Sequence, residues 1–315
     1  MTRRYASPCL IGQPQGFALV TVLLLVALIS LLAINYVQRY QLTQITAGYS
    51  AQHAQLQQYI WSIENRVLHA LSESDEPDQH WRRLELIIEQ SIAATDATVD
   101  ISLNSAEGRF NVNNLLATPL QESPWWDTFA RLLDNSSALS AKKIQQLQHY
   151  IEQQYRYGAR PEKGWVTWQD LFLAAGLELP ESNSWQTMMV ALPSVRPVNL
   201  NQANTVLLQA MLPGLSASAV QALVRQRNNK AFMDTNDFLR ALEHVGYQIS
   251  TQQVQQLAAI VATQSQYFQL ELNIIHGHMG RQVTVILKRQ KDRISVIKRR
   301  AKKLSKKTAL KMLQN

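Results

Sequence analysis

The chain has 315 residues, 46% of them hydrophobic, and a formal net charge of +8. That length and apolar content suffice for one large or two ordinary cores, and the charge invites a nucleic-acid or anionic-lipid partner. The charge is uneven, however: residues 281–315 hold 13 Lys/Arg and a single acid, Asp292, so the remainder carries a net −4. The one cysteine, Cys9, lies ahead of the first apolar run, which excludes a disulfide framework.

The first element is the run inside "QPQGFALVTVLLLVALISLLAINY". Residues 17–34 are apolar apart from the hydroxyls of Thr21 and Ser30, which a helix can satisfy on its own carbonyls, so a bilayer span of roughly 20 residues is feasible. Arg3 and Arg4 precede it and favour a cytoplasmic N-terminus. No Ala-x-Ala site follows, as a secretory signal peptide would require. Instead Val37, Tyr40, Ile45, Tyr49, Leu56, Ile60, Ile63, Val67 and Leu71 continue at helical spacing. The spacing predicts one helix over residues 17–71, about 80 Å long, with an apolar half and an amphipathic half. The residues alone allow a signal anchor with a stalk. The order of leader, Gly16-Phe17, apolar run and amphipathic continuation also resembles class III, type IV pilin-like signal sequences. In those, a prepilin peptidase cuts on the cytoplasmic side and methylates the new N-terminus; the matching positions are Gly16 and Phe17. Most such proteins have Glu as the fifth mature residue, where this chain has Thr21.

"SESDEPDQH" (72–80) then reads as an acidic turn and "WRRLELIIEQSI" (81–92) as a short helix. In "ATVDISLNSAEGRFNVNNLL", Val99, Ile101 and Leu103 alternate as on a strand, "SAEG" turns, and Phe110 and Val112 begin a return strand. Asn111, Asn113 and Asn114 suit a strand end or helix cap, with an ion site as the rarer alternative. From Thr118 to about Gln264 the pattern is helical and punctuated by Pro and Gly; Trp125, Trp126, Trp165, Trp168 and Trp185 in this stretch read as core. "YFQLELNII", "RQVTVILKRQ" and "RISVIKRR" follow as an antiparallel meander turning at "HGHMG" and "KD". Strands on both sides of some 150 helical residues predict an α+β domain interrupted by a helical insertion.

Within that insertion, "VNLNQANTVLLQAMLPGLSASAVQALVRQR" resembles a helix-hairpin-helix, a motif that in many proteins holds a DNA phosphate on turn amides. Ser216 stands where the second glycine of a phosphate-binding turn belongs, and the turn has no lysine, so packing or protein contact is the expected role. Arg225 and Arg227 suit a helix C-terminus as well as an anion. "GWVTWQDLFLAAG" (164–176) matches "AFMDTNDFLRALE" (231–243), pairing Trp165 with Phe232 and placing Thr167 and Asp234 as N-caps, with Asp170 and Asp237 three residues on. This faint repeat implies two related helical units. The chain contains no G-x-S-x-G, Walker loop, H-E-x-x-H or paired-cysteine motif, and no enzyme is read from it. His276 and His278 have the i, i+2 spacing of a shared strand face, but the flanking Gly277 and Gly280 make a hairpin turn the better account. The tail "KRRAKKLSKKTALKMLQN" reads as a solvated end, with anionic lipid or a partner as the alternative.

The Gly16/Phe17 junction, non-acidic Thr21, "AEGRFNVNNL", "VNLNQAN", "LPGLSASAVQALVRQR" and closing "ISVIKRR" occur in an order that resembles the K subunit of the type II secretion system, a minor pseudopilin (general secretion pathway protein K). The resemblance implies an α+β fold: a pilin-like long N-terminal helix on an antiparallel sheet, with a large all-α insertion of helix-hairpin-helix-like units. It implies a leader at 1–16, the helix at 17–71, a first pilin-like segment at 72–117, the insertion at 118–265, closing strands at 266–300 and a basic tail at 301–315. It further implies a non-catalytic tip subunit that initiates pseudopilus assembly for protein export. The implied setting is the bacterial inner membrane, single-pass, with the N-terminus cytoplasmic and the head periplasmic. Implied partners are the I, J and H minor pseudopilins, the major pseudopilin G, prepilin peptidase and inner-membrane lipid; nucleic acid is not expected. Members of the family can bind calcium in the head, but no ligands are assignable in this chain and no cofactor is read from its residues. The alternatives are a membrane-tethered helix-hairpin-helix DNA-binding protein, tested by salt-dependent duplex binding at 195–245, and a minor pilin of a type IV pilus.

Overall fold

Helix α1 (Gln15–Glu73) confirms the long uninterrupted helix expected from the spacing. The structure, a computed structural model, describes residues 15–73, 97–120, 123–135, 139–156, 164–179, 184–291, 293–305, 308–310 and 312. The leader before residue 15, the acidic stretch from residue 74 and the expected helix at 81–92 lie outside the described residues. The chain divides into two units at Tyr59/Ile60. In the first, residues 19–34 are solvent-exposed and apolar, and the helix is long and apolar enough to cross a membrane. Asn35, Thr43 and Thr46 donate to carbonyls four residues earlier (2.8–2.9 Å), so polar side chains are satisfied without breaking the ladder.

In the second unit, β1 (Thr98–Ser105) runs into a 3₁₀ turn (Ala106–Gly108), then β2 (Phe110–Asn111) and a second 3₁₀ turn (Val112–Leu116). Four helices follow: α2 (Pro124–Asn135), α3 (Ala141–Arg156), α4 (Trp168–Ala174) and α5 (Ser184–Met188). After β3 (Met189–Val190) and β4 (Val198–Asn199) come α6 (Thr205–Met211), α7 (Ala217–Asn229), α8 (Thr235–His244) and α9 (Thr251–Ile260). The chain closes with β5 (Val261–Ala262), β6 (Tyr267–His276), β7 (Met279–Gln290) and β8 (Arg293–Lys303).

The main sheet has the order β1-β6-β7-β8, antiparallel throughout, so the helical segment interrupts a sheet whose first strand precedes it and whose other three follow. Register separates the two faces. Leu103, Leu270 and Val285 lie opposite one another in successive pairs, and Arg299 of β8 follows Val285. Arg299 forms an ion pair with Glu64 (3.0 Å), which places the part of α1 from Ile60 onward, the part in this unit, over this apolar face. Ile60, Ile63, Val67 and Leu71 are the buried stripe of α1 there. Burial of Glu64 pushes its carboxyl up, and Arg299 opposes the shift. The other face bears Gln269, Glu271, Thr284, Lys298, Arg300 and Lys302 and is largely polar, apart from Tyr267 and Ile286, which are buried with Val190 and Leu192.

The strand alternation at residues 267–298, the turn at "HGHMG" and the core role of the five tryptophans are observed. Trp185 is fully buried, stacked on Trp168 and edge-on to Phe172. His276 ends β6 and His278 sits in the two-residue turn after Gly277 (φ +57°), in agreement with the hairpin reading. One expectation fails. Phe110 does not return along β1; β2 pairs in parallel with β3, and Val112 already belongs to a 3₁₀ turn. The cause lies in Glu107, whose side chain is drawn inward, as described below, so "SAEG" redirects the chain instead of reversing it.

Candidate functional site

The junction between sheet and helical insertion is built by asparagine side chains acting as surrogate backbone. Asn111 Oδ1 accepts from the Asn113 and Leu192 N–H groups (3.2 and 2.9 Å), and its Nδ2 donates to the Ser194 carbonyl (2.8 Å). Asn113 donates through Nδ2 to the Trp165 and Leu192 carbonyls (3.0 and 2.8 Å) and accepts the Trp165 N–H on Oδ1 (2.8 Å). Asn114 brackets Arg196 in the same way, donating to its carbonyl (2.7 Å) and accepting its N–H (2.9 Å). A primary amide carries donors and an acceptor in one plane, so it can close a two-bond ring with a peptide as a neighbouring strand would. All three asparagines are buried.

The same device recurs 88 positions later. Asn199 Oδ1 accepts the Asn201 N–H (2.9 Å); Asn201 donates to the Phe232 and Thr263 carbonyls (3.0 and 2.9 Å) and accepts the Phe232 N–H (2.8 Å). Each Asn-x-Asn begins at the second residue of a two-residue strand that pairs in parallel with another at the end of its helical set: β2 with β3, β4 with β5. Each set has four helices among the described residues. The repeat expected from "GWVTW" and "AFMDT" is therefore a duplication of the whole unit. Thr167 forms a capping box with Asp170, and Asp234 accepts the Asp237 N–H (2.8 Å), as their positions implied. The matching spacing of "FNVNN" and "VNLNQ" was the visible signal for the braces.

Two further contacts fasten the insertion to the sheet, and neither has a local sequence signal. Glu107, 1% exposed, takes Arg196 Nε on one oxygen (2.5 Å) and the Gln266 N–H on the other (2.8 Å). Burial pushes its carboxyl up from 4.5, while Arg196 and the Gln266 amide hold it back. Arg109 spans the gap, donating to the Gln186 carbonyl (3.1 Å) and Gln269 Oε1 (2.7 Å). Burial brings its guanidinium down to about 10, an effect Glu271 opposes. Two glycines allow the close approach. A Cβ on Gly108 would lie 2.7 Å from the Gln202 carbonyl oxygen, and one on Gly164 (φ +72°) would meet the Asn113 amide at 2.7 Å.

The hairpin-like turn at 212–216 is satisfied from within. Gly214 has φ +85°, but Ser216 caps α7, its Oγ accepting the Ala219 N–H (3.2 Å) that an open turn would offer to a phosphate. Tyr247 donates to the Pro213 carbonyl (2.9 Å), and Arg131 to that of Ala210 (2.6 Å). Arg227 donates to the Leu200 carbonyl (2.6 Å), and its burial lowers its pKa, whereas Arg225 is exposed. Gly16, Phe17 and Thr21 all lie in α1, Thr21 with its side chain exposed. Among the described residues no three His, Cys, Asp or Glu side chains gather in one place, so no calcium ligands are assigned.

Fold and junction define a class: a pilin-like scaffold, helix on antiparallel sheet, carrying a duplicated all-α insertion. The comparisons show what the chain is similar to. The sequence pattern of "Type II secretion system (T2SS), protein K" matches residues 198–260, which run from β4 to the end of α9 and so cover the second repeat. The fold is similar to that of a chain in the crystal structure of the GspK-GspI-GspJ complex from the enterotoxigenic Escherichia coli type 2 secretion system. The TM-score is 0.61 at 18% identity, covering 81% of this chain and 100% of that one. No curated protein matches the chain. Pattern and fold together bear out the resemblance to the K-type minor pseudopilin read from the sequence.

Proposed function

We propose that this chain is a non-catalytic minor pseudopilin that caps the tip of a type II secretion pseudopilus and initiates its assembly. The observation that carries the reading is the placement of the family-matched segment: it forms one of two asparagine-braced repeats inserted between β1 and β6 of a pilin-like sheet. That insertion makes the head bulky, which hinders lateral packing along a shaft and is tolerated at an end. Thr21 supports the same placement. A Glu at the fifth mature position offsets the buried N-terminal amine of the subunit above. A topmost subunit has no such neighbour, and an unpaired carboxylate in hydrocarbon is costly.

On this reading prepilin peptidase cuts between Gly16 and Phe17 and methylates Phe17. The helix then anchors the chain in the inner membrane with the head periplasmic, and the I and J minor pseudopilins are direct partners. The H minor pseudopilin and the major pseudopilin G contact the assembly below. Affinity purification of the full chain from detergent-solubilised membranes tests it: I- and J-type pseudopilins co-purify in fixed ratio, and their absence after cross-linking refutes the assignment.

A further inference from the structure

Where the polar face of the sheet meets the first helical repeat, a cleft of about 240 Å³ opens. Four cations line it: Arg109, Lys298, Arg300 and Lys302; the one carboxylate in its wall is Glu271. Glu271 already accepts from Gln269 Nε2 (2.5 Å). Register explains the clustering, since Lys298, Arg300 and Lys302 alternate along β8 opposite Ile286, Thr284 and Gln282, and so project from one face. Arg109 enters from the insertion side.

None of the four forms an ion pair among the described residues. Arg109 donates only to neutral oxygens of Gln186 and Gln269, and Lys298 only to the Val166 carbonyl. Burial lowers the pKa of Lys298; Asp170 opposes the shift and Arg300 adds to it, while Glu271 acts on Arg109, so the carboxylates balance the four cations through the field and not through direct ion pairs. A basic edge strand also deters edge-to-edge pairing, which accounts for exposed Arg300 and Lys302. It does not account for Arg109, which lies outside that strand, or for Lys298, whose ammonium donates across to the Val166 carbonyl of the insertion.

We propose that this cleft is an oxyanion-binding site, taking a compact carboxylate or phosphate group between Arg109, Lys298, Arg300 and Lys302. A planar or tetrahedral oxyanion supplies several acceptors to converging cationic donors, the arrangement in which charge-assisted hydrogen bonds are strongest. The site is independent of the pseudopilin reading, because it rests on the cleft and not on the family.

Isothermal titration of the full-length protein in detergent with succinate, with inorganic phosphate and with an N-acetyl-glutamate peptide tests it. Saturable binding at low ionic strength is expected for at least one probe. The pattern gives the source: phosphate alone indicates a free inorganic ion, and succinate together with the peptide indicates a protein carboxylate. The exposed pair Arg300→Gln/Lys302→Gln should weaken that binding by about tenfold or more, with thermal stability unchanged. Lys302→Arg should retain it. Absence of saturable binding by all three probes, or affinity unchanged in the double variant, overturns the proposal.

Discussion

Replacing Asn113 by alanine removes three hydrogen bonds at once and leaves the Trp165 N–H, the Trp165 carbonyl and the Leu192 carbonyl without partners. The side chain is 6% exposed, so bulk water does not reach these groups without opening the junction. A buried backbone group left unpaired costs about 1–3 kcal/mol, which sums to roughly 3–6 kcal/mol after partial relaxation. That is a large part of the ~5–15 kcal/mol of an ordinary folded unit. Asn201 makes the corresponding three bonds but is only half-buried, so Asn201→Ala should cost less, about 1–3 kcal/mol. Urea unfolding followed by tryptophan fluorescence reads both variants, with Trp165 itself a reporter of the broken ring. A loss below about 1 kcal/mol for Asn113→Ala, or a larger loss for Asn201→Ala, refutes the account of the braces as surrogate backbone.

Gly164→Ala should destabilise through both its positive φ and its collision with Asn113, and Gly108→Ala through its clash with the Gln202 backbone; both lower the urea midpoint. Glu107→Ala leaves Arg196 and the Gln266 N–H unpaired and should cost about 3–5 kcal/mol in the same assay. Because burial raises the folded-state pKa of Glu107 above 4.5, its protonated form is the one favoured by folding. The protonation-linked part of its contribution is therefore full below pH 4.5 and lost as pH rises through the raised folded value, a downward slope that Glu107→Gln should remove, while the bonds to Arg196 and Gln266 persist in the ionised form. Thr21→Glu should leave the melting of the head unchanged while lowering recovery of the I- and J-type partners.

The parts legible in the sequence were those whose physics is local. The stripe Ile60, Ile63, Val67 and Leu71 reports a helix face, the alternation in "YFQLELNII" reports a strand, and Thr167 and Asp234 mark helix starts by their own capping chemistry. The parallel pairs β2–β3 and β4–β5 were hidden because two residues carry no periodicity. The Asn113 brace spans 52 positions and the Glu107–Arg196 pair 89, separations at which a single sequence records no partner. For that reason "SAEG" looked like a hairpin turn: only the distant Arg196 and Gln266 explain why Glu107 turns inward and sends Phe110 elsewhere. At the proposed assembly site the opposite holds. Gly16, Phe17 and Thr21 were singled out by their order in the chain.

The most direct test of the pseudopilin assignment is the intact mass of the mature protein isolated from cells with active prepilin peptidase. A chain beginning at N-methylated Phe17 is predicted. A mature chain still beginning at Met1 contradicts the assignment.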